Sequence, residues 1–302
     1  MSEFNNETYT ALINDLINDA FYSKDGSARG KIATIRQYSE VIIRKILNLS
    51  NEEYVTIGKN TILQQLKDIS NNNQLLLSSL EVIRNDGNDC THTQKTQKIT
   101  NEDLNRCIDS LFNLYSYLFI SYFTKYEFGK NEKILSSFSI LPPIIRYIAL
   151  EYLYKNNQNN IMIIDKLVLS ILKSYDKEKA IVWLNSKRNT LENMNTITEQ
   201  AKQDISEKYG DAVAQQIVDN APENMYISCN ERLNEVDEII TENGILYSDF
   251  ESAIELYKEK GHVQGEEEEI KEFNSIMEFV YLGRRAIKNN KLKELDKYTV
   301  MV

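Results

Sequence analysis

The chain contains little glycine and proline, the two residues that most often interrupt regular secondary structure. Its 302 residues include 10 Gly and 3 Pro, and runs with the two-residue alternation of a strand are nearly absent. Only residues 161–164, a short apolar run, are ambiguous between strand and helix. The sequence therefore predicts an all-α protein, and its apolar fraction of 42% is ordinary for a globular core.

Cysteine is also scarce, and the three thiols are too far apart in the sequence to suggest a disulfide framework or a zinc motif. We therefore expect free cysteines in a reducing compartment, with no metal and no other cofactor. The first residues lack the basic and apolar parts of a signal peptide. The most apolar run, residues 111–123, is shorter than the roughly 20 residues of a membrane span. We expect a cytoplasmic protein with no membrane partner, in which this run is a buried, tyrosine-rich helix.

Basic side chains are fewer than acidic ones, 35 against 45. The net charge of −10 is unlike that of a general nucleic-acid binder. Residues 231–302 hold 17 acidic and 10 basic side chains, and this is the most acidic part of the chain. If RNA is a ligand, a local site must bind it, because the overall field repels phosphate.

Apolar residues at helical spacing predict four long helices in the N-terminal part, over residues 11–21, 27–49, 61–83 and 102–127. Asn71-Asn72-Asn73 is a point of interruption in the third helix, and Asp86-Gly87-Asn88 is expected to end it. Capping boxes at residues 50–53 and 100–103 each predict the start of a helix.

The break that follows residue 128 predicts two domains. Residues 1–128 are expected to form a helical bundle. Residues 129–302 are expected to form a second helical region that regulates the first or binds a partner protein through its acidic C-terminal part. Helices are predicted there over residues 144–154, 161–174, 176–208, 211–219, 230–242, 248–260, 266–288 and 290–297.

Histidine, a side chain that often takes part in catalysis, is rare here: the chain has 2. One of them, His92, follows Arg84 closely in the sequence RNDGNDCTH, which we call the Arg–His segment (residues 84–92). An arginine can bind a phosphate and stabilise its developing charge, while a histidine transfers protons near neutral pH. Together they suffice for cleavage of RNA without a metal.

The Arg–His segment resembles the signature of the HEPN superfamily, in particular the branch often called the domain of unknown function 4145. That branch shows an arginine, a Gly-Asn pair three residues later and a histidine about four residues further on, which Arg84, Gly87, Asn88 and His92 match. Upstream, residues 35–44 are similar to a helix of the same branch with an arginine, a glutamate and a small apolar core. The resemblance covers roughly residues 10–128.

This resemblance implies a metal-independent ribonuclease that acts as a homodimer, of the kind used in toxin–antitoxin or phage-defence systems. Arg84 would hold the phosphate, His92 would act as base or acid, and Asn85 or Asn88 would position the substrate. The 2′-hydroxyl required by such chemistry would restrict the activity to RNA. Lys95 and Lys98, which follow the histidine closely, are the candidates for binding the RNA backbone.

Two other interpretations stay open. The chain could be a non-catalytic helical dimer that serves as a nucleotide-, RNA- or protein-binding adaptor. It could also be a purely structural interaction protein, in which Asp86-Gly87 ends a helix, Arg84 complements the helix dipole and His92 is a surface residue. An Arg84 packed against its own helix end would favour these interpretations over an enzyme.

Two further groups are interpreted as solvated surface. His262 precedes four glutamates, residues 266–269, which could suggest a metal site, but acidic residues beside glycines are more typical of a loop before a helix. Arg284-Arg285 and the lysines that follow form a small basic patch, for which we favour a solvent-exposed helix end over a contact with RNA or an acidic partner.

Overall fold

The computed structural model describes residues 3–93 and 95–287, and all regular secondary structure within these ranges is helical. The all-α class is confirmed. The helices are α1 (Asn6–Ile17), which continues into a π-helical turn (Asn18–Tyr22), α2 (Ala28–Leu47), α3 (Asn60–Ile69), α4 (Gln74–Thr91), α5 (Asn101–Lys125), α6 (Glu132–Phe138), α7 (Pro143–Asn156), α8 (Ile161–Ser174), α9 (Lys177–Ser186), α10 (Arg188–Leu191), α11 (Glu199–Tyr209), α12 (Asp211–Asn220), α13 (Met225–Asn243), α14 (Phe250–Lys260) and α15 (Glu268–Tyr281). None of the helices described is long and apolar enough to cross a membrane.

The chain divides into two compact units. The first comprises the described residues of Met1–Ala149 and Asp249–Val302, and the second comprises Leu150–Ser248. This division differs from the boundary after residue 128 that the sequence suggested. The predicted helix over residues 290–297 lies outside the described residues.

The core of the first unit is formed by α2, α4 and α5, which pack on one another. Apolar residues of α2 are fully buried at helical spacing, among them Ile32, Ile35, Ile42 and Ile43. Almost all of residues 111–123 is buried in α5, so the tyrosine-rich core helix is confirmed. Burial on nearly every side identifies α5 as the central element of this unit.

Helices α14 and α15 return to the N-terminal bundle and complete its core. The Phe250 ring lies 5.6 Å from that of Tyr115, and the Phe273 ring lies 6.3 Å from that of Phe119, centroid to centroid. Acidic residues surround these aromatics in the sequence, which made the segment look like a separate acidic region. The apolar faces nevertheless bury against α5, because buried aromatic area outweighs the solvated charges on the opposite side.

The second unit is built around α8, α9 and α13, which contact one another. Their facing residues are buried, for example Leu167, Leu184 and Leu233. Helices α11 and α12 pair with each other, but α11 buries no residue and α12 buries Ala214. Residues 161–164, which were ambiguous, belong to helix α8.

Two of the three helix limits predicted from the asparagine run and the capping boxes are confirmed. Asn71 and Asn72 have positive φ angles of 50° and 56°, and Asn73 caps α4, so the interruption at these asparagines is confirmed. The capping box at residues 100–103 forms as predicted. The capping box at residues 50–53 does not start a helix: the Ser50 carbonyl accepts a hydrogen bond from Arg44 Nη1 at 2.7 Å, and the chain only turns there.

The long helix predicted over residues 176–208 is also wrong. Three helices, α9 to α11, occupy this stretch, and tertiary hydrogen bonds hold the chain between α10 and α11 out of helical geometry. The Met194 carbonyl accepts from the Met225 amide at 2.9 Å, and the Thr196 hydroxyl donates to the Pro222 carbonyl at 3.0 Å. A polar stretch with little apolar periodicity gave no sequence signal for these long-range bonds.

Candidate functional site

The Arg–His segment is helical from Arg84 to Thr91, so the predicted helix end at Asp86-Gly87-Asn88 is wrong. Helix α4 continues because its buried stripe continues. Leu80, Ile83, Gly87 and Cys90 follow one another at spacings of three and four residues, and all are buried. Gly87 is therefore a core-facing position of the helix rather than a chain terminator.

Gly87 allows α2 and α4 to approach closely. A Cβ atom at this position would lie 2.4 Å from Cδ and 2.8 Å from Cβ of Arg36. Distances below 3 Å exclude any side chain without movement of the arginine stem. The Gly of the motif is thus explained by helix packing, and it places Arg36 of α2 directly against the Arg–His segment.

Arg84 lies on the outer face of α4, and its side chain is 30% exposed. Its Nη2 pairs with Glu81 Oε1 at 3.6 Å, and its Nε donates to Asn85 Oδ1 at 3.3 Å. Its stem also packs on Gly58, where φ is +96° and a Cβ atom would lie 2.8 Å from Arg84 Cδ. The guanidinium is therefore held partly by its own helix, yet it remains accessible to a ligand.

His92 follows the last residue of α4 and is exposed, with extended backbone angles (φ −100°, ψ 146°). Its backbone amide donates to the Asn88 carbonyl at 3.0 Å. Arg84 and Asn88 are four residues apart, so they share one face of the helix, which leads toward His92. Seven residues lie between Arg84 and His92, and this step corresponds to about 12 Å along the helix axis.

The acidic residues of the segment are engaged in ion pairs. Asp86 points toward α5, where its Oδ2 accepts from Arg106 Nη2 at 2.9 Å and from the Cys107 thiol at 3.5 Å. Burial, together with the charge of Asp86, raises the pKa of the Cys107 thiol. Asp89 pairs with Lys95. Neither carboxylate presents an unpaired negative charge to the face that carries Arg84.

The two lysines predicted to bind RNA differ in their surroundings. Lys95 is exposed and forms an ion pair with Asp89, and the hydrogen bond to that carboxylate raises the pKa of Lys95. Lys98 is exposed in the same loop. The described residues of 92–99, which we call the His92 loop, therefore include two basic side chains close to the histidine in sequence, one of them already paired.

Sequence reasoning missed Arg29, at the start of α2. Its guanidinium donates to the Asp89 and Cys90 carbonyls at the end of α4 and to the Lys95 and Gln97 carbonyls in the His92 loop, at 2.7, 3.4, 2.9 and 3.2 Å. Burial raises the pKa of the Cys90 thiol, an effect that Arg29 opposes. A single arginine in the first turn of a long helix gives no sequence signal for such a role.

The helix upstream of the motif is also placed beside it. Arg36 of α2 pairs with Glu40 at 3.7 Å, and Glu40 Oε1 in turn accepts from the Ile57 amide at 3.1 Å. This amide lies one residue before Gly58, which contacts Arg84. The two segments on which the resemblance rests are thus neighbours, connected through Gly87 on one side and residues 57–58 on the other.

The second histidine and the C-terminal arginines lie elsewhere in the first unit. His262 is exposed in a loop and lines an open groove of about 410 Å³ with Lys133 and Lys260. In the described part of the chain, no three His, Cys, Asp or Glu side chains are placed to hold a metal ion. Cys90, Cys107 and Cys229 are free, as expected, and all three are buried.

Arg284 corrects the interpretation of the basic patch as solvated surface. Its side chain is 2% exposed, pairs with Glu251 at 3.4 Å, and lies 4.5 Å from the Phe250 ring centroid. Arg285 remains exposed. The lysines that completed the predicted patch, Lys288, Lys291 and Lys293, lie outside the described residues.

Comparison with known proteins adds no relative: the chain matches no family model, no curated protein and no solved structure.

Proposed function

We propose that this protein is a metal-independent RNA endonuclease whose reaction is carried by the Arg–His segment. The observation that carries the proposal is the arrangement of α4. Arg84 and Asn88 occupy one helix face that leads to the exposed His92. The carboxylates of Asp86 and Asp89 are both paired with basic side chains. A cation, an amide donor and a proton carrier on one surface form the minimal set for phosphodiester cleavage.

The reaction we propose is internal transesterification. The 2′-oxygen attacks phosphorus, a new P–O bond forms, and the bond from phosphorus to the 5′-oxygen breaks. A base removes the proton of the 2′-hydroxyl, and an acid donates a proton to the departing 5′-oxygen. His92 performs one of these transfers, Arg84 stabilises the charge on the phosphoryl oxygens, and Asn85 or Asn88 donates a hydrogen bond that orients the phosphate.

A homodimer would supply the second proton carrier. One chain offers a single Arg–His segment, and about 12 Å along the helix axis lies between its arginine and its histidine. Two copies with their segments facing each other would place two arginines and two histidines around one phosphate. Lys95 and Lys98 would then bind the flanking backbone, a local attraction within an acidic protein. The setting we propose, toxin–antitoxin or phage defence, rests on the family resemblance alone.

A specific contact favours a second candidate function. Arg84 leans toward Glu81, one turn before it, and therefore away from His92. This arrangement suits a non-catalytic helical dimer that binds a nucleotide, RNA or protein as an adaptor, with Arg84 as the anion contact. The two functions differ in one property, since an adaptor binds RNA without cleaving it.

Cleavage of a labelled single-stranded RNA in EDTA distinguishes the two. We expect products with 2′,3′-cyclic phosphate ends, and a loss of rate of about 100-fold or more in both Arg84→Ala and His92→Ala. His262→Ala, which removes the other histidine from an exposed loop, and Arg188→Ala, which removes an exposed arginine of the second unit, are matched controls and should cleave as wild type.

Each other result has a definite meaning. Equal cleavage by all five proteins would overturn the assignment, because the activity would then come from a contaminant or another site. If the wild-type protein binds RNA without cleaving it, and Arg84→Ala is the one variant that weakens this binding, the adaptor function would be established. The molecular mass in solution, measured by light scattering for wild type and variants, tests the homodimer in the same samples.

A further inference from the structure

We propose that Arg29 is a positioning residue that fixes His92 in place for the reaction. This inference rests on the proposed function, and it adds a residue from another helix to the Arg–His segment. Arg29 lies in the first turn of α2, after the capping Ser27, and is half-buried. Its role follows from the direction of its guanidinium N–H groups, which point at backbone carbonyls.

The Arg29 guanidinium holds the chain on both sides of the histidine. Its Nη1 donates to the carbonyls of Asp89 and Cys90 before His92, and its Nη2 donates to those of Lys95 and Gln97 after it. Four backbone carbonyls of one segment thus converge on one side chain. His92 lies in the chain between these two attachment points.

Helix geometry explains why the first two carbonyls are available. The last four carbonyls of an α-helix lack partners within the helix. In α4 the Asn88 carbonyl accepts from the His92 amide, and the next two carbonyls, those of Asp89 and Cys90, accept from Arg29. A cation at a helix C-terminus is also favoured by the helix dipole. Arg29 therefore stabilises the end of α4 at the point where the chain turns toward His92.

The second pair of bonds fixes the return of the chain. The Lys95 and Gln97 carbonyls belong to the His92 loop, which leads to Thr100, the cap of α5. The side chains of Asp89 and Lys95 form an ion pair that also connects the end of α4 to the His92 loop. A planar guanidinium has two NH₂ groups at fixed separation and can bind both parts of the segment at once, whereas a lysine ammonium is a single point of charge.

Arg29 acts through His92 and not on the substrate, since its donors are directed at backbone carbonyls. Its loss should therefore change the placement of the histidine more than the affinity for RNA. A displacement of a catalytic group by about 1 Å can reduce a rate by about 100-fold. We expect Arg29→Ala to reduce kcat by about 10- to 100-fold and to change KM by less than about 2-fold. Arg29→Lys should recover little, because charge alone does not span the two attachment points.

The matched control is Arg44→Ala. Arg44 lies on the same helix and also donates to a backbone carbonyl, that of Ser50, in a loop that does not contain His92. We expect this variant to keep the wild-type kcat. Thermal unfolding of Arg29→Ala, Arg29→Lys and Arg44→Ala shows that each is folded before its kinetics are compared.

Amide hydrogen exchange gives a second measurement that needs no activity. In Arg29→Ala we expect faster exchange confined to residues 89–99, with the remainder of α4 and α2 unchanged, and no such change in Arg44→Ala. Unchanged exchange in the His92 loop would overturn the positioning role whatever the cleavage result. If His92→Ala cleaves as wild type while the loop exchanges faster in Arg29→Ala, the nuclease proposal fails and the structural part of this inference stands.

Discussion

Lys45 shows how far the surroundings of one side chain can alter its chemistry. Near the end of α2 its ammonium donates to Ser275 Oγ at 2.6 Å and to Asn6 Oδ1 at 3.3 Å, and lies 5.1 Å from the Phe4 ring centroid. Burial lowers the pKa of Lys45 to about 8, although the nearby Glu278 opposes this shift. The folded protein therefore holds this proton less tightly than the unfolded chain does.

This lowered pKa predicts that the contribution of Lys45 to stability rises with pH. Between about pH 8 and the unfolded pKa of 10.5, the unfolded chain binds a proton at Lys45 that the folded protein has released. The contribution of Lys45 to the free energy of unfolding therefore increases with pH. We expect the difference in unfolding free energy between wild type and Lys45→Met to grow in favour of wild type from pH 7.5 to pH 10, measured by urea unfolding. A difference that is constant over this range would show that Lys45 titrates normally.

Arg284 is also a buried basic residue, but unlike Lys45 it keeps its charge firmly. It has a carboxylate partner in Glu251, donates to the Tyr115 hydroxyl at 3.0 Å, and is surrounded by aromatic rings, among them Phe21. A guanidinium is weakly hydrated and stacks on aromatic faces, so its burial costs less than that of an ammonium. The two basic residues cannot be told apart in the sequence, because the partners of both are distant along the chain.

At the scale of elements, the packing of α2 against α4 determines the candidate site. Gly87 brings the helices together, Arg36 fills the contact, and Arg29, two turns earlier on the same face of α2, binds the end of α4. Glycine in a helix interior costs about 1 kcal/mol relative to alanine. The close approach that only glycine permits offsets this cost.

Two glycine substitutions test this packing, and they should have opposite signs. Gly87→Ala places a Cβ atom 2.4 Å from Arg36 Cδ, so we expect a loss of about 1–2 kcal/mol despite the better helix propensity of alanine. Gly30→Ala, also in a helix, meets no atom nearer than 3.5 Å and should gain about 0.5–1 kcal/mol. Urea unfolding of both variants gives the comparison. A gain in both would mean that α2 and α4 separate at no cost.

Some helix limits are set by adjacent residues alone. Thr100 and Asp103 form their capping box, and Asn71 and Asn72 break the chain between α3 and α4, because both effects need only neighbouring residues. Asp86-Gly87-Asn88 carries an equally strong local signal for a helix end, yet α4 passes through it. Burial of Gly87 and the pairing of Asp86 with Arg106 of α5 override the local preference.

At the scale of the molecule, the acidic C-terminal segment is part of the first unit and not an appendage to it. Phe250, Phe273 and Phe279 are fully buried, and Phe279 stacks with Tyr38 of α2 at 6.3 Å between centroids. Several acids of this segment hold specific contacts, as in the ion pair of Lys125 with Glu272 at 2.5 Å. The apolar face of this segment therefore belongs to the core of the first unit.

Truncation tests this organisation. A chain ending at residue 248 loses α14 and α15 and exposes α5, so we expect it to lose its near-ultraviolet circular dichroism and to bind a hydrophobic dye. A chain ending at Ile287 keeps every contact described above and should retain the wild-type spectrum. A folded, dye-free protein after removal of residues 249–302 would contradict the assignment of α14 and α15 to the core.

The sequence by itself determined the helical class, the buried tyrosine-rich helix, the free cysteines and the helix limits that depend on adjacent residues. It also predicted Arg84, Asn85, Asn88 and His92 as a candidate set from their spacing, and their role in catalysis stays a prediction. Only the tertiary structure decided that Gly87 is a contact point, that Arg29 holds the His92 loop, that Arg284 is buried and that residues 249–287 belong to the first unit. Each of these depends on a partner between about 30 and 270 residues away, and the pattern of neighbouring residues carries no information on such a partner.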